Sequence, residues 1–243
     1  MTQTAALPLF YRRPAPLDTR RHAGGGLAAV DDVRFAAKAN AVPLAAPEFF
    51  RAQVDMPIVF TTGAQPTAHA VLGLVEDENL FVGEDGRWLA GAYVPAYVRR
   101  YPFIFFQPQQ ADGRLVLCLD EAAEQYTQSG GRPLFADGQP SELTQTALKF
   151  CADYQTQIGA TAPFVAALAE KGLLVENQAE AALAKGGSFR LGGFQVVDEA
   201  KLADLDADTV VDWHRKGWLA LIHAHLMSMG RWQNLVDLKA KRA

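Results

Sequence analysis

The side chains best equipped to recognise another molecule are Trp88, Tyr93, Tyr97, Arg99, Arg100 and Tyr101, all within the stretch WLAGAYVPAYVRRYPFIFF. These nineteen residues, Trp88 to Phe106, hold seven aromatics and two prolines, too much apolar bulk for a linker, and read as core or pocket wall. Tyr93, Tyr97 and Tyr101 recur every four residues, a spacing that puts three hydroxyl-bearing rings on one side of a helix. Pro95 and Pro102 hold that helix to roughly a turn and a half. Tyrosine and arginine each join a rigid contact surface to a polar tip. A guanidinium also offers a planar fork to a carboxylate or phosphate. Ligand contact through these six residues is one expectation. The other is structural, with an arginine paired to a core-edge acid such as Asp120 while the tyrosines brace a sheet.

The remaining reactive residues form no catalytic pattern, so no catalytic residue, metal site or cofactor is assigned. His223 and His225 stand two apart on a predicted helix, roughly 200° around its axis, and cannot share an ion. His214 and His225 share a face but lie roughly 16 Å apart along it. His225 therefore reads as a satisfied core histidine, and His22 falls in a loose N-terminal arm. Glu76, Asp77, Glu78, Glu84 and Asp85 cluster at two predicted turns, where the apolar LFV between them breaks any calcium-loop pattern. Cys118 and Cys151 match no metal or redox spacing and read as buried thiols. The glycine pairs and triplet lack the phosphate-cradling spacings, and Ser228 sits in no nucleophile elbow.

The elements that must position these groups follow from pattern and punctuation. With 49% hydrophobic and 21% charged residues the composition is that of an ordinary globular chain. A net charge of −4, with arginines and lysines scattered, argues against a nucleic-acid partner. Nowhere do about 18 apolar residues run together, so no transmembrane segment is expected, and a cytoplasmic location follows from the lack of an export signal. Residues 1–30 read as an extended arm, and 31–243 as a single α+β domain, sheet-rich over 57–120 and helix-rich over 121–243. MPIVF, AVLGLVE, LFV, RWLA, YPFIFFQ and LVLCLD predict five or six antiparallel strands in a strongly bent sheet or partial barrel. Asp85-Gly86 and Asp112-Gly113 are the turn signals. Ser141 opens a helical run in which Pro163 predicts a break or kink, with Gly172 as its C-terminal cap. Residues 176–185 read as an amphipathic helix, and SFRLGGFQVVD as a strand returning to the sheet. A long C-terminal helix places Trp218, Ile222, His225, Met229, Trp232 and Val236 on a heptad stripe. That stripe docks on its own chain or forms a homodimer.

The ordered series MPIVF, LGLVEDENLFVGEDGRW, YVPAYVRRYPF, RPLFADGQPSE, LGGFQVVDEAKLADL and KGWLALIHAHLMSM resembles the bacterial SapC family over roughly residues 30–235. The resemblance implies an association with surface-layer loci or with TonB-dependent uptake. It carries no catalytic residues over to this chain. The expected function is a non-catalytic accessory protein that recognises a small molecule, peptide or protein partner. The alternatives are an enzyme or enzyme partner in an uptake- or halogenation-related locus, which would need His69, His223 or His225 gathered with turn acids, and a structural homodimer.

Overall fold

The computed structural model describes residues 7–29, 31–106, 115–182 and 188–242. Its strands, in chain order, are β1 (Pro14–Pro16), β2 (Gly26–Leu27), β3 (Ala41–Pro43), β4 (Ile58–Thr61), β5 (Ala68–Val71), β6 (Phe103–Phe106) and β7 (Val116–Asp120). They continue with β8 (Tyr126–Thr127), β9 (Arg132–Pro133), β10 (Phe135–Ala136), β11 (Gln139–Pro140), β12 (Leu174–Ala182) and β13 (Ser188–Val197). The helices are α1 (Phe49–Ala52), α2 (Ala96–Arg99), α3 (Glu142–Glu170), α4 (Glu199–Ala203), α5 (Ala207–Arg215), α6 (Trp218–Ser228) and α7 (Trp232–Arg242). The chain divides into two compact units, residues 1–32 with 99–156, and residues 33–98 with 157–243.

In the first unit the segment read as an arm is woven into sheet. β1 pairs antiparallel with β7, which also pairs with β6, and β2 runs between β8 and β9. Leu27, Phe103, Leu119, Leu134 and Phe135 form the core, joined by Cys151 from α3. Gly26 is required here, because a Cβ would stand 2.2 Å from the Gly130 carbonyl oxygen and 2.7 Å from that of Arg132. Ser141 opens α3 as expected, accepting from the Thr144 amide at 3.4 Å and donating to the Pro133 carbonyl at 2.6 Å.

The second unit is built on a five-stranded sheet in the order β12-β13-β4-β5-β3. Phe49, Phe60, Phe164 and Leu72 are fully buried in its core, with Phe49 and Phe164 meeting edge to face at 6.1 Å. Three expectations change here. Residues 174–182 form a strand, because eight register pairs with β13 supply backbone partners that outweigh the helical preference of an alanine- and glutamate-rich segment. LFV and RWLA are reduced to a single Val82–Trp88 bridge around the Gly83–Arg87 turn, so the stretch between 57 and 120 contributes β4 to β7. α3 runs unbroken through Pro163. On either side of that proline, the Thr161 hydroxyl donates to the Gln157 carbonyl at 2.7 Å and Phe164, Val165 and Leu168 are buried.

The chain is thus the expected mixed α+β protein, with several sheets and, among the described residues, no closed barrel. SFRLGGFQVV does rejoin the sheet, pairing with β4 at Phe194 and Gln195. The C-terminal helix is interrupted at Gly217, whose φ of 73° sets α6 apart from α5, and runs on from Trp218 to Arg242 through one 3-10 turn. Its last turn is fixed by Arg242, which donates to the carbonyls of Asn79, Leu80 and Val82, and by the Lys239–Glu78 ion pair. The turn read at Asp112-Gly113 lies outside the described residues.

Candidate functional site

The six residues singled out in the sequence are divided between the two units. In the second, Pro95 delays the helix so that only Ala96–Arg99 is helical, and Tyr93 falls before it. The Tyr93 hydroxyl donates to Glu48 Oε1 at 2.8 Å, its amide to Asp55 Oδ2 at 2.7 Å, and its carbonyl accepts from Trp88 Nε1 at 3.2 Å. Trp88 stacks on Phe81 at 5.5 Å, and Tyr97 is buried. Glu48, 5% exposed, also accepts from the amides of Ala45 and Ala96. A buried carboxylate with three donors is in the environment that such a group requires.

In the first unit the Tyr101 hydroxyl donates to Asp120 Oδ2 at 3.2 Å, and burial, with the Asp120 charge second, raises its pKa. Asp120 is fully buried and accepts the backbone amides of Arg12 and Arg13 at 3.0 and 2.7 Å. The buried Arg100 guanidinium lies 4.8 Å from the Tyr154 ring centre and 5.7 Å from that of Tyr11. Arg99 is exposed and sits over Phe150 at 5.1 Å.

Glu121, next in sequence to Asp120, collects the side chain of one arginine from each basic pair. Arg21 approaches its two carboxylate oxygens at 2.5 and 2.6 Å, and Arg13 Nε one of them at 3.4 Å. His22 is fully buried, which corrects its placement in a loose arm. The Asp18 amide donates to His22 Nδ1 at 3.1 Å, the Asp18 carbonyl lies 3.2 Å from the same nitrogen, and Nε2 faces Glu121 Oε1 at 3.3 Å. Arg12, Arg13 and Arg21 are therefore fastened to the neighbouring acids Asp120 and Glu121, Arg12 through its amide, with His22 beside them.

The remaining histidines are separately placed. His225 Nε2 accepts from the Val197 amide at 3.0 Å, so Nδ1 carries the proton and meets the Ile58 carbonyl at 2.8 Å. Burial pushes its pKa down to about 4, partly opposed by the bond to Ile58. Ser228 Oγ continues the link, accepting from the Ile58 amide and donating to the His225 carbonyl. His225 is the core histidine that the sequence predicted. The His69 pKa is lowered by burial within β5, while His223 is exposed on α6. Among the described residues no three of the His, Cys, Asp and Glu side chains are grouped to hold a metal.

A concave surface that the sequence reading did not identify lies in the second unit. One face of the β12-β13 ribbon and the α6-α7 helices enclose an open groove of about 570 Å³. Phe194 and Trp232 stack across it at 5.4 Å and 26°. Leu226, Met229 and Val236 continue the apolar wall from the helices and Phe189 from the ribbon. The ribbon bends there, because the register shifts between Asn177 and Ala179, opposite Gly192 and Gly193, with Gly193 at φ 79°. Glu180, Asp198 and Glu199 line the same groove. Met229, Trp232 and Val236 of the heptad stripe, read as docking on its own chain or forming a homodimer, line it together. What they face could not be read from the stripe.

These features define a mixed α+β chain whose buried Glu48, Asp120 and His225 are bonded to backbone and whose second unit carries an aromatic groove. It belongs to the SapC family, whose model matches residues 17–235. No curated protein and no solved structure matches the chain. Among the described residues no helix is long and apolar enough to cross a membrane.

Proposed function

We propose that this SapC-family chain is a non-catalytic, cytoplasmic accessory protein that works by recognising a partner, and that the groove between the β12-β13 ribbon and α6-α7 is its recognition surface. The observation that carries this reading is the half-buried Trp232, stacked on the buried Phe194 in an open groove with apolar side chains on both walls. A concavity of a few hundred Å³, apolar within and polar at its rim, is the usual form of a ligand site. Aromatic anchors supply most of the energy at such surfaces. In this reading the Trp88–Tyr101 segment braces, since Tyr93 and Tyr101 spend their hydroxyls on Glu48 and Asp120. The same holds for His225, both of whose nitrogens are bonded to backbone.

The test is a screen of neutral aromatic fragments by ligand-observed NMR against the wild-type chain, Met229→Arg and Arg99→Ala. Met229 is only partly exposed and lines the groove, so an arginine there obstructs it without entering the core. Fragment binding that disappears in Met229→Arg and persists in Arg99→Ala is expected. Binding untouched by Met229→Arg, or lost in Arg99→Ala alone, would move the recognition surface back to the tyrosine and arginine segment.

A further inference from the structure

We infer that the partner of this groove is a peptide segment of another protein in which lysine or arginine alternates with large apolar side chains. The inference rests on the groove being the recognition surface and adds the chemistry of what it takes. Among the described residues, each charged side chain lining the groove, Glu180, Asp198 and Glu199, is acidic. Asp198 holds its carboxylate in place by accepting the amides of Ala200 and Lys201 at 3.0 and 3.3 Å, so its charge is fixed at the rim. Glu180 pairs with Arg190 at 2.9 Å, and both side chains are more than half exposed. A pair so wetted is weak and exchanges readily for a cation brought by a partner. The floor supplies the other half of the match. Trp232, half-buried at the groove and backed by the buried Phe194, offers aromatic surface that attracts a cation as well as an apolar side chain, and Met229 adapts its shape to what it meets.

A second copy of the chain is the less suitable occupant. Both copies would bring the same acidic rim to a two-fold contact, where like charges oppose each other. An acidic or purely neutral segment would leave the rim without complement. Because the ribbon and helices line the groove with few donors and acceptors besides Asn177, Gln178 and Gln233, the selectivity must come from charge and apolar bulk.

The experiment uses two synthetic acetylated octapeptides, one alternating lysine with leucine and the other glutamate with leucine. Each is titrated calorimetrically into the full chain at low and high salt, with Glu199→Lys and Met229→Arg as variants. Glu199 is exposed in the first turn of α4, so its reversal leaves the core intact, which a thermal melt verifies. The lysine peptide is expected to bind at least tenfold more tightly than the glutamate peptide, to weaken several-fold in high salt and in Glu199→Lys, and to be lost in Met229→Arg. Equal binding of both peptides that is lost in Met229→Arg overturns the charge assignment and leaves the groove as the recognition surface. Binding of neither peptide also overturns it, and the fragment screen then decides on the groove. A dimer in light scattering that dissociates in Met229→Arg overturns it in favour of self-association.

Discussion

Lowering the pH from 7.5 to 4.5 should remove about 2.5 kcal/mol of stability through His225 alone. The ring is fully buried, bonded through Nε2 to the Val197 amide and through Nδ1 to the Ile58 carbonyl, and its pKa is pushed from 6.5 to about 4. In the unfolded chain the same ring protonates near 6.5. Between those two values the unfolded state binds the extra proton, so stability is fully present above 6.5 and falls as the pH approaches 4. The slope is about 1.4 kcal/mol per pH unit at its steepest. His225→Leu keeps the bulk against Phe60, whose ring centre is 5.0 Å away, but strands one amide and one carbonyl. It should cost about 2–4 kcal/mol at neutral pH. The gap between wild type and variant should then close by about 2.5 kcal/mol at pH 4.5, because the variant has lost the titration. Urea unfolding followed by tryptophan fluorescence reads this directly, since all four tryptophans lie in the second unit. His69 and the carboxylates titrate alike in both chains and cancel. A gap that stays constant from pH 7.5 to 4.5 would refute the neutral, doubly bonded histidine.

Three further outcomes follow from the buried polar groups. Asp120→Ala removes the acceptor of the Arg12 and Arg13 amides and the Tyr101 hydroxyl; a loss of about 3 kcal/mol and faster exchange of those two amides are expected by hydrogen exchange, and unchanged protection would contradict those bonds. Glu48→Ala should destabilise by about 2–4 kcal/mol because it strands the Ala45 and Ala96 amides, whereas Tyr93→Phe, which deletes one bond, should cost about 1 kcal/mol. Paired urea denaturation curves check the order. Burial pushes both Cys118 and Cys151 up to about 11, so a disulfide reagent at pH 8 should modify neither in the folded chain within minutes and both in urea; rapid labelling of the native protein would contradict their burial.

Local signals in the sequence carried over where a single residue decides the backbone. Pro95 and Pro102 do bound a very short helix, Gly172 caps α3 with φ 66°, and Ser141 starts that helix. Burial of His225 was legible because an apolar stripe surrounds it. What could not be read depends on partners far along the chain. Nothing near Asp120 announces that its carboxylate binds amides 107 and 108 residues away, and basic pairs in a proline-rich stretch look mobile until those acids are in place. Residues 174–182 misled for the same reason. Their composition suits a helix, and only the long pairing with β13 makes them a strand. The groove follows from that strand, since Phe194 and Trp232 become neighbours only when the ribbon folds over α7. Tyrosines and arginines at regular spacing drew attention to Trp88–Tyr101, yet the same chemistry that suits a ligand also suits an internal brace to Glu48 or Asp120.

Fluorine NMR of the chain labelled with 5-fluorotryptophan separates the two surfaces most directly, because Trp232 lines the groove and Trp88 lies in the tyrosine and arginine segment. Titration with the lysine–leucine peptide, or with a neutral fragment from the screen, should shift the Trp232 signal and leave that of Trp88 in place. A Trp88 signal that moves while Trp232 stays still would contradict the groove as the site of recognition.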